Sequence, residues 1–143
     1  MVKENDILRK RLMLLDEYIS DLRELQEISF QEYQENKLIR RTVERLLHLA
    51  VETCLDISQH IIAQEGYRTP VDNKDSFRVL HEEGLISTDL LEKTTSMARF
   101  RNLIVHDYVR IDDAVVHDIL KRHLGDFDAF AKAVLNHLGA SDG

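Results

Sequence analysis

Proline occurs once, glycine five times and tryptophan not at all in these 143 residues. So few chain breakers exclude a fold of many short strands joined by turns and favour long helices. Cysteine is as scarce. Cys54 stands alone, so no intramolecular disulfide forms and no cysteine-based zinc site assembles, which fits a reducing cytosol. Long apolar runs are missing: none approaches the roughly 18–20 residues of a membrane span, and the N-terminus has no signal-peptide pattern. A cytoplasmic protein with no membrane partner is expected. Basic charge is in the minority, 19 Lys and Arg against 26 Asp and Glu, for a formal net charge of −7. That excludes a general nucleic-acid coat protein but leaves room for a local basic site. No glycine-rich phosphate loop is present, so ATP hydrolysis by this chain is not expected.

What is present is helical periodicity. Residues from about 3 to 27 carry Leu8, Leu12, Leu15, Ile19 and Leu22 at spacings of four and three, one continuous apolar stripe. A polar junction over 30–36, broken by Phe30 and Tyr33, reads as a short helix or a continuation of either neighbour. From about 37 to 64, Val43, Leu47, Ala50, Cys54, Ile57 and Ile61 keep the same rhythm over about 40 Å. Gly66 suits a C-terminal cap and Pro70 blocks continuation. Asp72 or Asn73 can cap a third helix through Phe77, Val79 and Leu80, which Gly84 ends. Ser87 or Thr88 starts a fourth, with Leu90, Leu91, Thr94, Met97, Ala98, Leu103 and Ile104 as its buried positions. Asp112 and Asp113 mark the next start, and Val115, Val116, Ile119 and Leu120 lead to Gly125. A kink or break is expected at Gly125-Asp126, before a last face of Phe127, Phe130, Val134 and Leu138. The expectation is one all-α domain over residues 1–143, an antiparallel bundle of about five to six helices.

Against this plain background one stretch carries chemistry: Arg101-Asn102-Leu103-Ile104-Val105-His106-Asp107-Tyr108. Arg99 to Arg110 holds three arginines and a single acid, whereas residues 1–36 hold nine acids and five bases. Arginine is a permanent cation whose planar fork grips phosphate, and histidine gives and takes protons near neutral pH. In RNA the 2′-hydroxyl lies beside its own 3′-phosphate, so the nucleophile is built into the substrate. Cleavage then needs a group to take that proton, one to protonate the leaving 5′-oxygen, and positive charge on the non-bridging oxygens. His106 can be acid or base, and Arg101 can bind the phosphate and the charge that grows on it. Asn102 can hold the imidazole or the phosphate. No metal is required.

On a regular helix Asn102 and His106 lie about 40° apart, and Arg101 and Tyr108 about 20° apart. Arg101 and His106 point about 140° away from each other. They meet only if the helix loosens near its end or a second copy contributes. One histidine per chain is also short for two-proton chemistry, which a two-fold dimer would supply. An arginine and a histidine near a helix end also serve simply to satisfy carbonyls and the helix dipole.

The match extends beyond the motif. Residues 54–63, Gly66-Tyr67-Arg68-Thr69-Pro70, Phe77-Arg78-Val79-Leu80 and Met97 through Asp112 follow, in order, segments of the HepT branch of the HEPN ribonucleases, which the chain resembles over roughly residues 45–135. The Phe-Arg-Asn-x-x-Val-His-x-Tyr core is its specific part, with Arg99 departing from a frequent glycine. The resemblance implies a dimerising all-α toxin and an MntA-like minimal nucleotidyltransferase antitoxin as partner. It further implies transfer of AMP from ATP onto the motif tyrosine, here Tyr108. The RNA substrate, tRNA or mRNA, is left open.

Three function classes follow. The favoured one is a metal-independent endoribonuclease toxin with Arg101 and His106 catalytic, Asn102 supporting and Tyr108 modified. The second is a non-catalytic helical subunit that binds nucleotide or presents substrate for a nucleotidyltransferase. The third is a structural bundle with no site. Elsewhere, His48 and His60 are possible cleft residues, and Arg40, Arg41 and Arg45 form a basic face that extends an RNA path or pairs with acids such as Glu44. Cys54 reads as a small core residue.

Overall fold

A computed structural model describes residues 2–142, with side chains over 5–140. Seven α-helices follow one another: α1 (Val2–Glu24), α2 (Phe30–Glu35), α3 (Lys37–Glu65), α4 (Asn73–Glu82), α5 (Thr88–His106), α6 (Asp113–Arg122) and α7 (Leu124–Asp142), with a 3₁₀ turn over Tyr108–Arg110 between α5 and α6. The described residues contain no strand. The all-α expectation holds. The count exceeds the expected five to six because the polar junction folds as a helix of its own and the last segment divides in two.

Helix α3 is the axle of the bundle. Val43, Leu47, Val51, Leu55, Ile57, Ile61 and Ile62 are buried around most of its circumference, so α1, α2, α4, α5, α6 and α7 all pack on it. Helix α1 lies along it, delivering the Leu8–Leu12–Leu15–Ile19–Leu22 stripe, fully inward as its spacing requires. Phe77 of α4 meets Phe130 of α7 edge-on at 5.8 Å. Cys54 is buried, and burial pushes its thiol pKa up, so it is packing.

The helix boundaries are set by local chemistry. Asn36 ends α2 and caps α3, its Oδ1 accepting from Ile39 N at 3.0 Å. Gly66 closes α3 at φ +69°, a left-handed conformation that costs a Cβ-bearing residue energy. Asp72 caps α4 and Ser87 caps α5. The loop between α3 and α4 is tied down by Arg68, which donates to Asp75 at 2.7 and 2.9 Å and to Glu82 at 2.8 and 3.0 Å. Those bonds, with the Val71 N–H, hold the Asp75 carboxyl well below the usual carboxylate range.

Two expectations need correction. The break expected at Gly125-Asp126 falls at His123, so both residues lie in the first turn of α7. His123 bridges Asp118 at 3.3 Å and Asp126 at 3.5 Å, and an early restart of the helix buries Leu124 and Phe127. Leu91, Leu103 and Ile104, expected among the buried positions of α5, are half-buried, and Val115 of α6 is exposed. Among the described residues no helix is long and apolar enough to cross a membrane.

Candidate active site at the end of helix α5

Helix α5 runs without interruption to His106 and stops there. Asp107 leaves helical geometry at φ −148°, ψ 53°, and its N–H still donates to Leu103 O. Tyr108 opens the 3₁₀ turn, and Asp112 caps α6 by accepting from Ala114 N at 2.9 Å. The motif therefore straddles a helix terminus.

Arg101 points from α5 to α3. Its Nε donates to the Glu52 carboxylate and its Nη1 to Asn102 Oδ1 at 3.0 Å, leaving Nη2 without a partner among the described residues. Only 18% of the side chain is exposed. A guanidinium so placed is fixed in direction yet keeps donors for an incoming anion. Asn102 serves Arg101 here, and makes no hydrogen bond to His106 although the two share a helix face. His106 is exposed and makes no hydrogen bond or ion pair with any described residue. Because α5 stays regular, Arg101 and His106 diverge within a protomer by about 140°. The structure does not bring them together in one chain.

Tyr108 is 54% exposed, and its hydroxyl donates to both oxygens of Glu44 on α3, at 3.3 and 3.4 Å. Arg101 and Tyr108 therefore rest on one polar strip of α3, at Glu52 and Glu44, with His48 between them at spacings of four. Eight helical residues separate the two contacts, about 12 Å. The near-alignment expected on an unbroken helix does not apply, since Tyr108 lies beyond the end of α5. His48 Nε2 is 3.4 Å from Glu52 Oε1 and its Nδ1 is 3.5 Å from Arg45 Nη1. His60, three turns further along α3, is exposed and outside this strip.

Electrostatically the Glu44 end is unusual. Glu44 is only 8% exposed, and burial raises its carboxyl pKa. The Tyr108 hydrogen bond opposes that rise, Asp113 adds to it, and Arg40 and Arg41 oppose it. Beneath it Tyr33 is fully buried, with a hydroxyl that has no partner among the described residues and a pKa raised by burial and then by Glu44 and Asp113. Arg40 pairs with Asp113 at 4.0 Å and with the Gln34 carbonyl, so the basic face meets Asp113 where Glu44 was expected. Arg41 and Arg45 are exposed on the same helix.

Arg99 faces the opposite flank of α5. There it lines a groove of about 710 Å³ between α3, α5, α6 and α7, with Leu103, Val115 and Phe100. Apolar side chains also surround the motif in the open: Val105, Val109 and Val115 are exposed, Val109 to 94%. Among the described residues no group of three His, Cys, Asp or Glu is spaced to hold a metal ion.

Glu52 was missed by sequence reasoning, and Glu44 was read only as a partner for arginines. The signal available was Glu44-His48-Glu52 at i, i+4 and i+8, one polar line along α3.

Comparison with known proteins agrees in fold and in family. Residues 15–134 match the family described as Ribonuclease HepT-like. An mRNA nuclease HepT from Shewanella oneidensis is 29% identical over 131 residues, covering 91% of this chain and 97% of the relative. A tRNA nuclease HepT from Aphanizomenon flos-aquae is 24% identical over 132 residues, covering 92% and 90%. Among solved structures, a tri-AMPylated Shewanella oneidensis HEPN toxin in complex with MNT antitoxin is similar at a TM-score of 0.85 and 25% identity, covering 92% of this chain and 98% of that one.

Proposed function

Because this chain belongs to the HepT-like ribonuclease family, we propose that it is the toxin of a toxin–antitoxin pair, a metal-independent endoribonuclease acting through Arg101 and His106. A nucleotidyltransferase antitoxin silences it by adenylylating Tyr108. The curated relatives are named as mRNA and tRNA nucleases, and the solved relative is AMPylated and bound to an antitoxin. The observation that carries the reading is Arg101. It is half-buried and anchored by Glu52 and Asn102, and its Nη2 has no partner among the described residues.

Arg101 binds the non-bridging oxygens of the scissile phosphate, and charge-assisted bonds strengthen as the transition state gains negative charge. One imidazole takes the 2′-hydroxyl proton, the 2′-oxygen attacks phosphorus, and a second imidazole protonates the departing 5′-oxygen. His106 supplies both when two chains pair about a two-fold axis. The divergence of Arg101 and His106 within a protomer calls for that second copy, and exposed Val105, Val109 and Val115 give it apolar surface to cover. The basic face of Arg41 and Arg45 leads RNA to the strip. A nucleotide on Tyr108 spans part of the 12 Å or so between Glu44 and Glu52, obstructing the path and placing negative charge before Arg101.

The test is purified chain with labelled tRNA and mRNA in EDTA, beside Arg101→Ala and His106→Ala. Cleavage by the wild type alone is expected. Cleavage by either variant at the wild-type rate, or none by the wild type, overturns the proposal.

A further inference from the structure

We infer that Glu44 is the base for nucleotidyl transfer to Tyr108, taking the phenolic proton as the tyrosine oxygen attacks the α-phosphorus of a nucleoside triphosphate. This rests on the reading of Tyr108 as the modified residue.

A phenol with an ordinary pKa near 10 is neutral at pH 7, so its oxygen is a poor nucleophile until the proton has somewhere to go. Among the described residues Glu44 is the one hydrogen-bond partner of the Tyr108 hydroxyl, with both carboxylate oxygens at 3.3–3.4 Å. Those distances are long, as catalytic contacts are before substrate tightens them. The neighbouring candidates are engaged or turned away. His48 contacts Glu52 and Arg45, Asp107 holds Arg110 at 3.2 Å, and His106 lies exposed at the end of α5. The other side of the tyrosine is open, so a nucleotide approaches from solvent while the carboxylate waits behind the hydroxyl.

The step balances. The Tyr108 Oη–phosphorus bond forms and the bond from the α-phosphorus to the bridging oxygen breaks. Pyrophosphate leaves with that electron pair, and the phenolic proton passes to a Glu44 oxygen. What remains is a tyrosyl phosphodiester beside a neutral carboxylic acid, which can donate its new proton to the ester instead of repelling it. The surroundings favour this uptake. Glu44 is poorly solvated and faces Asp113 from α6, the phenol of Tyr33 from α2, and Arg40 and Arg41 on its own helix, with His48 one turn along. Burial and Asp113 raise its affinity for a proton, which makes it a better base than an exposed carboxylate, while the two arginines keep that rise in check.

The experiment follows AMP incorporation into the full chain by intact-mass spectrometry, with purified nucleotidyltransferase and ATP, from about pH 5.5 to 9. Glu44→Gln is expected to slow modification of Tyr108 by about 100-fold at pH 7, with a rate that climbs steadily with pH as hydroxide takes over from the missing carboxylate. Glu44→Asp, which keeps a carboxylate, recovers part of the rate. A Gln variant modified at the wild-type rate with the wild-type pH profile overturns the role of Glu44, with Tyr108 still the target. Should the Gln variant not fold, the Asp variant decides: wild-type rate and profile there also overturn it. A wild-type chain that gains no AMP, or gains it equally as Tyr108→Phe, overturns the modification-site reading itself.

Discussion

Replacing Arg101 with lysine keeps the positive charge and removes the fork. In the structure the guanidinium uses Nε for Glu52 and Nη1 for Asn102, which leaves Nη2 and the remaining Nη1 proton without a partner among the described residues. An ammonium carries its three donors on a single atom, so it cannot hold Glu52, Asn102 and a phosphate in the fixed planar register that the guanidinium fork provides. Losing one aligned donor to transition-state charge costs about 2.7–4 kcal/mol, about 10²–10³ in rate. The stability cost is small by comparison. The Arg101–Glu52 pair retains solvent contact on both sides, so its loss is worth about 1 kcal/mol, a few degrees in Tm for a chain of this size. Single-turnover cleavage of an end-labelled mRNA measures the first effect and thermal melting by circular dichroism the second. Arg101→Lys is expected to cleave about 100-fold more slowly or worse and to melt within about 5 °C of the wild type. A rate within threefold of the wild type would refute the argument from geometry, leaving charge alone as the contribution. A collapse in Tm would make Arg101 a structural residue.

Other perturbations separate the parts of the scheme. His106→Asn should leave the melting temperature almost unchanged, because the ring has no partner among the described residues, and reduce cleavage at least 100-fold; unaltered cleavage places the proton transfers elsewhere. Tyr108→Phe should cleave RNA yet resist the antitoxin's AMP transfer, read by mass and by growth on co-expression; efficient modification of that variant contradicts the assignment. Val109→Glu, on a side chain almost wholly in solvent, should leave the protomer folded but split the proposed dimer in light scattering and abolish cleavage; a fully active monomer removes the need for a second copy. Asp75→Asn tests the Arg68 clamp. The Asp75 carboxyl is depressed in the folded state, so its contribution is present above its unfolded value near 3.8 and is lost as pH falls through the folded one. In urea unfolding the variant should lose about 1.5–3 kcal/mol at pH 7, with a smaller gap to the wild type near pH 2. A gap that does not change with pH contradicts the linkage.

Much of the scaffold was written in local pattern. The Leu8–Leu22 stripe, the α3 rhythm and the caps at Asp72, Ser87 and Asp112 each depend on residues within one or two turns, so periodicity and cap chemistry located them. The end of α5 was legible for the same reason, since Asp112 restarts the chain as a helix. Tertiary pairings were not. That Arg101 meets Glu52 and Tyr108 meets Glu44 depends on how α5 packs across α3, and no spacing along one helix encodes a partner 49 or 64 residues away. The exposure of Val115 was not legible either, because one apolar residue on an amphipathic helix looks the same in sequence whether or not anything covers it. The 140° between Arg101 and His106 was visible beforehand. The regular α5 then removed one of its two resolutions, a loosened helix end, and left the second copy.

An exposed imidazole that faces away from its own guanidinium gives the system a threshold in dose. If competence needs two chains, active sites rise as the square of protomer concentration when copies are few. A cell leaking a little of this protein would then carry almost no nuclease, and one that doubles its supply would feel about four times as much.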